Sequence, residues 1–418
     1  MTTRRHDVVV IGAGPAGCAA AITLARAGVD VLLVDKARFP RDKCCGDGLT
    51  TSALRRIESL GADPTTAVSW HTIDAVFVRS PSGRIAELPL TAGGGVDGVY
   101  GAVCRRADLD TSLLAAARRA GATVSEGDQF TGSLHPRPGE VILGLARSGD
   151  VVCQHVIAAD GVWSPVRRAA GVSRRGYLGE WLAFRKYFRG VGTEAAQHLW
   201  VWFDQAVVPG YSWSFPLAGD RVNVGVTLAR TPETNGAELR AQFEQVLASA
   251  WLESLLGRSA RADGPTSSWP IPTSPRGVEL TALGGRVLFT GDAARLADPM
   301  TGEGVGQALE SGIAAAEAIA TAAPGPAGDL YEKALARSLM VDNRLAAGLS
   351  RLLGTRLGAR GAVRVVGSPA LNGAFGRWLF EDYPRALLAT PRRWPEAAPS
   401  RRAPAFRTAR SQAGGSGI

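Results

Sequence analysis

The first apolar run of the chain is short and leads directly into glycines. Val8 to Ile11 are continuous, β-branched and apolar, which is typical of a strand buried in a parallel sheet. An alanine-rich stretch then predicts a helix that runs to Ala27, with Gly28 as its C-terminal cap. A second apolar strand, Val31 to Val34, ends in Asp35. The pattern therefore predicts a βαβ unit.

The turn between the first strand and the helix, GAGPAG at 12–17, has the spacing GxGxxG. Gly12 allows the tight turn, Gly14 lets a pyrophosphate approach the backbone, and Gly17 lets the helix pack closely on the strand. An acid in the place of Asp35 hydrogen-bonds ribose hydroxyls and disfavours a 2′-phosphate. The unit predicts a dinucleotide site for FAD or NAD, and not for NADP.

Three later segments alternate between buried strands and helices. Residues 104–122 predict a helix with Leu109, Leu113 and Ala117 on one face. A strand from Val156 ends in Asp160–Gly161, and a strand in 286–290 ends in Gly291–Asp292 before a glycine-rich helix start. Each Asp–Gly or Gly–Asp pair alone is a common turn signal. Only the order of these pairs along the chain, and their position between strands and helices, is informative about the fold.

A different periodicity covers the middle of the chain. In PGYSWSFPLAGDRVNVGV, 209–226, alternation places Tyr211, Trp213 and Phe215 on one face of a strand. Such a stripe is more often hydrophobic core than the wall of a ligand site. Residues 182–191 predict the start of the same sheet.

The C-terminal part returns to helical spacing, with leucines at 345, 349, 352 and 353 in an amphipathic stretch from Arg344 to Glu381. These helices either cap the sheet of the middle segment, or they form a lipid entrance or lie on a membrane surface. Beyond Thr390 the composition predicts a disordered tail.

Charge adds one asymmetry to this picture. The net charge is +9, and the segment from Pro384 onward contributes +6, from seven arginines and Glu396, so the remaining body carries +3. The tail is either a solvated segment or a patch for anionic lipid. Nucleic-acid binding is not predicted, because no basic stripe interleaves with aromatic residues in the body.

The five cysteines do not form a framework. Their odd number and scattered spacing argue against disulfides and favour a reducing compartment, and the absence of CxxC argues against a metal site. No run is long enough to span a membrane. Cys44 and Cys45 are nevertheless adjacent in a glycine-flanked loop, FPRDKCCGDGL at 39–49, and need a local explanation.

Taken together, these segments resemble the FAD-dependent oxidoreductases with the p-hydroxybenzoate hydroxylase fold. The resemblance implies a Rossmann-like α/β FAD-binding domain, an antiparallel-sheet substrate domain and C-terminal helices. It also implies that Asp292 holds the flavin ribityl chain and that Gly304–Val305 faces the pyrimidine edge of the ring. The R-x-x-F-D pattern of that fold falls on Arg106, with Leu109 in place of Phe and with Asp110 matching.

The cysteine loop resembles the K-x-C-G-x-G segment of the geranylgeranyl reductase family, with Lys43, Cys45, Gly46 and Gly48 matching. Cys44 falls on a variable position and is interpreted as packing. The Y-x-W-x-F-P block of that family matches Tyr211, Trp213, Phe215 and Pro216. Its later glycine pair appears as Asn223–Val224–Gly225, so the first glycine is missing. Both blocks look most similar to members that saturate menaquinone side chains.

What the resemblance implies is a reductase of isoprenoid carbon–carbon double bonds, with hydride from reduced FAD and a proton from an acid. Cys45 and Tyr211 are the candidate proton donors, and Trp213 is expected to shape the cavity. For Cys45, a small residue that merely fits beside the flavin is the alternative. The predicted cofactor-binding residues are Gly12, Gly14, Ala16, Gly17, Asp35, Lys36, Cys45, Gly46, Gly48, Arg106, Phe130, Asp160, Asp292, Gly304 and Val305.

Other enzyme classes share this fold. An FAD-dependent monooxygenase of an aromatic or secondary-metabolite substrate is the main alternative. A halogenase is disfavoured, because the four lysines (36, 43, 186 and 333) leave none between 44 and 185, where the halogen-carrying lysine should fall. A quinone oxidoreductase with an iron–sulfur cluster is disfavoured because no cysteine follows Cys153.

Residues 1–68, 100–178 and 279–335 are assigned to the FAD domain and 69–99 and 179–278 to the substrate domain. A C-terminal helical segment at 336–389 and the basic tail at 390–418 follow. The expected partners are an isoprenoid or prenylated-quinone substrate and an electron donor, either NAD(P)H or of the ferredoxin type. The expected location is the cytoplasm, with contact to the inner face of the cell membrane.

Overall fold

A computed structural model describes residues 4–90, 101–173, 176–231, 234–368, 372–382 and 384–385. Its strands are β1 (Arg4–Ile11), β2 (Val31–Asp35), β3 (Gly48–Leu49), β4 (His71–Ile73), β5 (Ala75–Arg79), β6 (Ile85–Pro89), β7 (Gly101–Val103), β8 (Thr123–Glu126), β9 (Phe130–Arg137), β10 (Glu140–Leu145), β11 (Gly149–Ala158), β12 (Trp181–Arg189), β13 (Leu199–Trp202), β14 (Ser212–Leu217), β15 (Arg221–Ala229), β16 (Arg261–Ala262), β17 (Ser267–Ile271), β18 (Thr281–Ala282) and β19 (Val287–Phe289).

The helices are α1 (Pro15–Arg26), α2 (Thr51–Ser59), α3 (Arg106–Arg119), α4 (Pro165–Ala169), α5 (Thr193–Gln197), α6 (Gly236–Leu247), α7 (Ala250–Leu256), α8 (Val305–Ala322), α9 (Gly328–Arg337), α10 (Leu339–Leu353), α11 (Arg356–Val366) and α12 (Asn372–Gly376). Short 3₁₀ turns lie at Leu283–Gly285 and Gly291–Ala294, and a π-helical turn lies at Arg377–Asp382.

The first sheet has the order β18-β19-β11-β1-β2-β8, and the β9–β10 hairpin attaches to β11. Strands β19, β11, β1, β2 and β8 run parallel. Their apolar runs are buried because α1, α3 and α8 belong to the same hydrophobic core. In such sheets ligands bind at the carboxyl ends of the strands. The loops at 12–14, 159–161 and 290–292 all leave from that edge.

Small residues allow α1 and α8 to pack closely. A Cβ placed on Gly312 would lie 2.1 Å from the carbonyl oxygen of Ala16, and one on Gly17 would lie 1.8 Å from that of Gly12. These contacts fix the start of α1 against both the strand end and α8. Gly12, with φ of 102°, makes the tight turn, Gly17 allows the close packing, and Gly14 lines the cavity.

The second sheet has the order β16-β12-β15-β14-β13-β5-β6, with β17 also pairing with β12. It was expected to be antiparallel, and one pair, β5 with β13, is parallel. Helices α6 and α7 cover one face, where Phe184, Trp200 and Phe243 belong to one cluster. The other face packs on α11 and α12, with Val76, Leu88 and Val363 in a second cluster.

A third, small sheet, β3-β7-β4, joins the two larger ones. Strand β3 lies in the cysteine loop and pairs with β7, directly before α3. The domain boundaries expected from the sequence stay a proposal. The predicted tail, 390–418, lies outside the described residues. None of the helices in the described ranges is both long and apolar enough to cross a membrane.

Candidate active site

A cavity of about 360 Å³ lies between the two large sheets and is lined at one end by the C-terminal helices. One end reaches the start of α1, and the other reaches α10, α11 and the π-helical turn. The structure brings together at this cavity, from the residues predicted by sequence, Gly14, Ala16, Cys45, Gly46, Gly48, Arg106, Tyr211, Trp213, Asp292, Gly304 and Val305.

The other predicted residues do not line the cavity. Lys36 is exposed, and Phe130 is buried in the core of the first sheet. Asp160 lies beside the cavity, where its carboxylate accepts a hydrogen bond from the backbone N–H of Val166 at 3.0 Å and burial raises its pKa to about 6. Neither Lys36 nor Phe130 lines the cavity.

The nucleotide end of the cavity is built from backbone groups. The Asp35 carboxylate accepts hydrogen bonds from the N–H groups of Ala13 and Ala37, both at 2.8 Å, which fixes it at the end of β2. A Cβ on Gly14 would meet only Nη2 of Arg41, at 3.7 Å. Neither α1 nor α8 has a side chain that caps its N-terminus, and both begin at the cavity. Uncapped helix N-termini bind phosphates and other anionic groups.

The residues at this end therefore fit FAD. Gly14 leaves room for a pyrophosphate, the fixed Asp35 carboxylate can accept hydrogen bonds from ribose hydroxyls, and two helix N-termini open into one cavity. Lys43 and Asp292 close the side of the site, with Nζ 3.2 Å from the carboxylate. This ion pair ties the cysteine loop to the loop after β19.

Cys45 lies in the middle of the cavity. Its Sγ accepts a hydrogen bond from the backbone N–H of Asp47 at 3.3 Å. Burial raises the pKa of this thiol, against the opposing effect of Arg106, so the group keeps its proton at neutral pH. Cys44 also lines the cavity, and burial raises its pKa to about 12. Neither thiol has the depressed pKa of a nucleophile.

Asp47 was not singled out by the sequence, yet it organises the cysteine loop. It is 1% exposed and adopts φ of 66°, an uncommon conformation for a residue other than glycine. Its carboxylate accepts from the Tyr187 hydroxyl at 2.7 Å, from Asn223 Nδ2 at 2.8 Å and from the Arg106 backbone N–H at 3.2 Å. Burial raises its pKa to about 6 despite these bonds.

Asn223 stands where the family motif has its first glycine, and it joins the cysteine loop to the aromatic wall. Its Nδ2 donates to the Cys45 carbonyl and to Asp47, both at 2.8 Å, while its Oδ1 accepts from Trp213 Nε1 at 3.1 Å. The side chain is fully buried. The missing glycine is thus replaced by a hydrogen-bonding link that holds Trp213 in place.

The aromatic stripe lines the cavity rather than lying only in the core. Tyr211, Trp213 and Phe215 follow one another with ring centroids 6.1 and 6.0 Å apart. Trp213 and Phe215 pack on the loop glycines, where a Cβ on Gly48 would lie 3.0 Å from Phe215. The Tyr211 hydroxyl donates to the Thr301 carbonyl, and burial raises its pKa. Trp213 requires Gly225, whose Cβ would lie 2.1 Å from the indole.

A second unpredicted acid, Glu303, lines the cavity just before α8. Its Oε1 accepts a hydrogen bond from the Thr50 hydroxyl at 2.8 Å. Burial raises its pKa to about 7, and nearby Asp298 acts in the same direction. A single acid between two glycines, in GEG at 302–304, is the sequence signal that could have identified it.

Comparison with known proteins agrees with this geometry. A family model described as "FAD binding domain" matches residues 5–334, which is most of the chain. The chain belongs to this family of FAD-binding proteins. The expected cofactor, FAD, is thereby confirmed, and the flavoprotein is an oxidoreductase of the predicted fold class.

Curated relatives narrow the family further. The flavoprotein is 35% identical over 340 residues to a menaquinone reductase of Mycobacterium tuberculosis. The alignment covers 74% of this chain and 76% of the relative. It is 30% identical over 329 residues to a digeranylgeranylglycerophospholipid reductase of Methanothrix thermoacetophila, covering 76% and 78%. The predicted membership in the geranylgeranyl reductase group is therefore confirmed.

Solved structures share the fold. A geranylgeranyl bacteriochlorophyll reductase-like protein of Thermoplasma acidophilum superposes with a TM-score of 0.76 at 23% identity, covering 93% of this chain and 99% of that one. A flavin-dependent brominase superposes with a TM-score of 0.71 at 22% identity, covering 92% and 98%. Because reductase and halogenase chemistries occur on this one fold, the fold alone does not select the reaction.

Proposed function

We propose that this flavoprotein reduces a carbon–carbon double bond in an isoprenoid chain, and that its substrate is a prenylated quinone such as menaquinone or a polyprenyl lipid. The observation that supports this most directly is the shape of the cavity. It extends from the FAD-fitting end, past Cys45 and the aromatic wall, into an apolar end between Val76, Val201 and Phe380. A prenyl tail is the kind of group that such an apolar extension accommodates.

The FAD would be held by residues at the strand ends. Gly14 and Ala16 would face the pyrophosphate, Asp35 the ribose, Asp292 the ribityl chain, and Gly304–Val305 the pyrimidine edge at the start of α8. When bound and reduced, FAD supplies a hydride to one carbon of the alkene.

Cys45 would supply the proton for the other carbon. Its thiol keeps its proton at neutral pH, and the Asp47 N–H holds the sulfur in place. Tyr211 is the second candidate, but its hydroxyl proton is already donated to the Thr301 carbonyl, so its more direct role is to fix the wall. Trp213 would face the alkene, where an aromatic surface stabilises developing positive charge. The apolar lining would exclude water from the reaction.

The decisive experiment uses the FAD-loaded protein, reduced with dithionite under anaerobic conditions. Menaquinone and geranylgeranyl diphosphate are supplied separately, and lipids are analysed by mass spectrometry. A gain of about two mass units with reoxidation of the flavin is the expected result. No gain without oxygen, but a gain of about sixteen on an aromatic compound with air and NAD(P)H, would refute the reductase assignment.

The adjacent cysteine provides a matched control for the proton donor. Cys45→Ala should lower the rate of alkene reduction by about a hundredfold, the usual contribution of a general acid. Cys44→Ala should stay within about threefold of the parent protein, since Cys44 has no assigned role in the proton transfer. If both substitutions lower the rate of alkene reduction equally, Cys45 is not the proton donor.

A halogenase is not favoured by the cavity. Among the described residues that line it, Lys43 is the one lysine, and its ammonium group is paired with Asp292.

For the electron donor we propose either NAD(P)H or a ferredoxin-type protein. Anaerobic bleaching of the flavin by each donor separates them. We further place the protein in the cytoplasm at the inner face of the cell membrane, where a prenylated quinone is available.

A further inference from the structure

The connection between α10 and α11 combines exposed leucines with arginines. Leu352 is 67% exposed at the end of α10, and Leu357 is 78% exposed in the first turn of α11. Elsewhere on the described surface, large apolar side chains of this exposure are few, and Val68 is the only one that is more exposed. Two such leucines close together in sequence form an unusual local feature.

The same two helices are strongly basic. Residues 343–368 contain five arginines and no acidic residue. Arg344 and Arg351 of α10 and Arg360 and Arg364 of α11 are exposed. On α11, Leu357, Arg360 and Arg364 are spaced i, i+3 and i+7 and therefore share one face of the helix. Burial of exposed apolar side chains and attraction of cationic ones to anionic headgroups are the two contributions that bind a protein segment to an anionic bilayer.

The inner side of this connection is a wall of the active-site cavity. Ser350 and Gly354 flank Leu352 in sequence and line the cavity, as do Ala362 and Val363 of α11. The cavity and the leucines are therefore separated by the thickness of a helix. A lipid substrate that leaves a bilayer at this point would be close to the apolar end of the cavity.

The chain beyond the described structure adds to the charge. Arg385, the last described residue, pairs with Asp342 of α10. The Nε–Oδ1 and Nη2–Oδ2 distances are 2.7 and 2.9 Å. Beyond Arg385 the sequence carries six arginines and one glutamate. A net positive segment thus continues from a point fixed to α10. This charge complements an anionic lipid surface, whereas a second copy of the chain would bring the same positive charge.

We propose that the α10–α11 connection, defined by Leu352, Leu357, Arg351, Arg360 and Arg364, docks the protein on an anionic bilayer and brings the apolar end of the cavity to the lipid. The leucines enter the interface between headgroups and acyl chains, and the arginines contact anionic headgroups. The inference rests on the proposed function for the identity of the lipid substrate, but not for the binding itself.

Vesicle flotation tests the surface with FAD-loaded, full-length protein. Vesicles of phosphatidylcholine with about 30% phosphatidylglycerol are compared with pure phosphatidylcholine at about 0.1 M salt. The parent protein should bind the anionic vesicles at least about tenfold more tightly. Leu352→Glu with Leu357→Glu, and separately Arg360→Glu with Arg364→Glu, should each weaken that binding by about tenfold or more.

Arg240→Glu is the matched control, because Arg240 is an exposed arginine of α6, on the opposite face of the second sheet. It should change vesicle binding by less than about twofold. Melting temperature and flavin absorbance verify that every variant is folded. Unchanged vesicle binding by both double variants overturns the proposal. So does light scattering that shows a dimer which the leucine variants convert to a monomer without altering vesicle binding.

Turnover separates this proposal from the proposed function. With detergent-dispersed menaquinone the double variants should match the parent protein, and with vesicle-embedded menaquinone they should be slower by about tenfold. Loss of turnover in every protein, with vesicle binding as expected, would refute the substrate and leave the docking surface standing. Equal turnover on vesicles by all variants would refute the docking surface alone.

Discussion

At the scale of single residues, the site depends on buried polar side chains that hold the loop around Cys45. Asn223 makes contacts with Cys45, Asp47 and Trp213 at once, and each partner is itself buried or half-buried. A buried hydrogen-bonding group that loses its partner destabilises the fold by about 1–3 kcal/mol. The geometry of the cysteine loop is therefore determined by Asn223, a residue of the second sheet.

Asn223→Ala should lower the free energy of unfolding by about 3 kcal/mol, because the Trp213 N–H and the Asp47 carboxylate each lose a partner. The released loop should also expose Cys45 to thiol reagents. Urea unfolding and the rate of Cys45 alkylation measure the two effects. Asn235→Ala, at the cap of α6, serves as the control: it should lower stability by about 1 kcal/mol without accelerating alkylation. Unchanged alkylation in Asn223→Ala would contradict the proposed link.

Glu303 gives a pH dependence with a definite sign. Its pKa is about 7 in the folded protein, against an ordinary value of 4.5, mainly because of burial. The folded state therefore binds this proton more tightly than the unfolded state does. Stability contributed by the group is present below about pH 4.5 and is lost as the pH rises to about 7, where Glu303 ionises in the folded protein.

Glu303→Gln should consequently gain stability relative to the parent protein as the pH rises from 5 to 8, by up to about 3 kcal/mol at the upper end. Parallel denaturant titrations at both pH values measure this difference. Thr50→Val supplies a second variant. The Thr50 hydroxyl favours the ionised carboxylate, so its removal should move the transition to higher pH. If the difference in the free energy of unfolding between Glu303→Gln and the parent protein is the same at both pH values, Glu303 does not cause a pH dependence of stability.

At the scale of elements, the FAD end of the cavity depends on how closely α1 and α8 pack. Both helices begin at the cavity, and the contact between Gly312 and the Ala16 backbone fixes their separation. Because the obstructing atom belongs to backbone, it is unable to rotate away. Any side chain at position 312 must move one helix relative to the other.

Gly312→Ala should weaken FAD binding by about tenfold or more and lower stability by about 1–3 kcal/mol, since overpacking shifts the two helix N-termini apart. FAD fluorescence titration and thermal melting provide the measurements. Gly348→Ala is the matched control on α10, where an added Cβ has nothing within 4 Å. It should leave FAD affinity unchanged and stabilise the protein by about 0.5–1 kcal/mol. Equal FAD affinity in both variants would show that the helix contact is not limiting.

At the scale of the whole molecule, one cavity is shared by three structural units. The first sheet provides the nucleotide end, the second sheet provides the aromatic wall, and α10 to α12 line the apolar end. Under the proposed function, the length of the prenyl tail is therefore limited by α10 to α12, at the opposite end of the cavity from the FAD-fitting residues. This predicts that substrate length and reaction rate can be changed separately.

Ala362→Phe should lower kcat/KM for a long-chain menaquinone by at least about tenfold and leave a short-chain analogue unaffected, because the added ring fills the apolar end of the cavity. Mass spectrometry of both substrates under the same conditions measures the ratio. Gly361→Ala, at the preceding position, is the control, because a Cβ there has nothing within 4 Å. A uniform loss for both chain lengths would place Ala362 outside the path of the tail.

The sequence alone determined the parts of this protein whose physics is local. The apolar run of β1, the GxGxxG turn and the acid at the end of β2 are adjacent in the chain, so their pattern predicted the βαβ unit and a dinucleotide site for FAD or NAD. The alternation around Trp213 predicted one face of a strand, and the leucine spacing predicted helices after Arg344. Motif resemblance then gave the family, which the comparisons confirmed.

Only the tertiary structure decided which of these residues meet. Asp47 and Asn223 are separated by 176 positions, and their hydrogen bond depends on how the cysteine loop crosses the second sheet. The exposure of Lys36, the burial of Phe130 in the core and the raised pKa of Glu303 likewise depend on surroundings from distant segments. Periodicity reports which face of an element is apolar, but burial and hydrogen-bond partners arise from packing between elements, which no local pattern encodes.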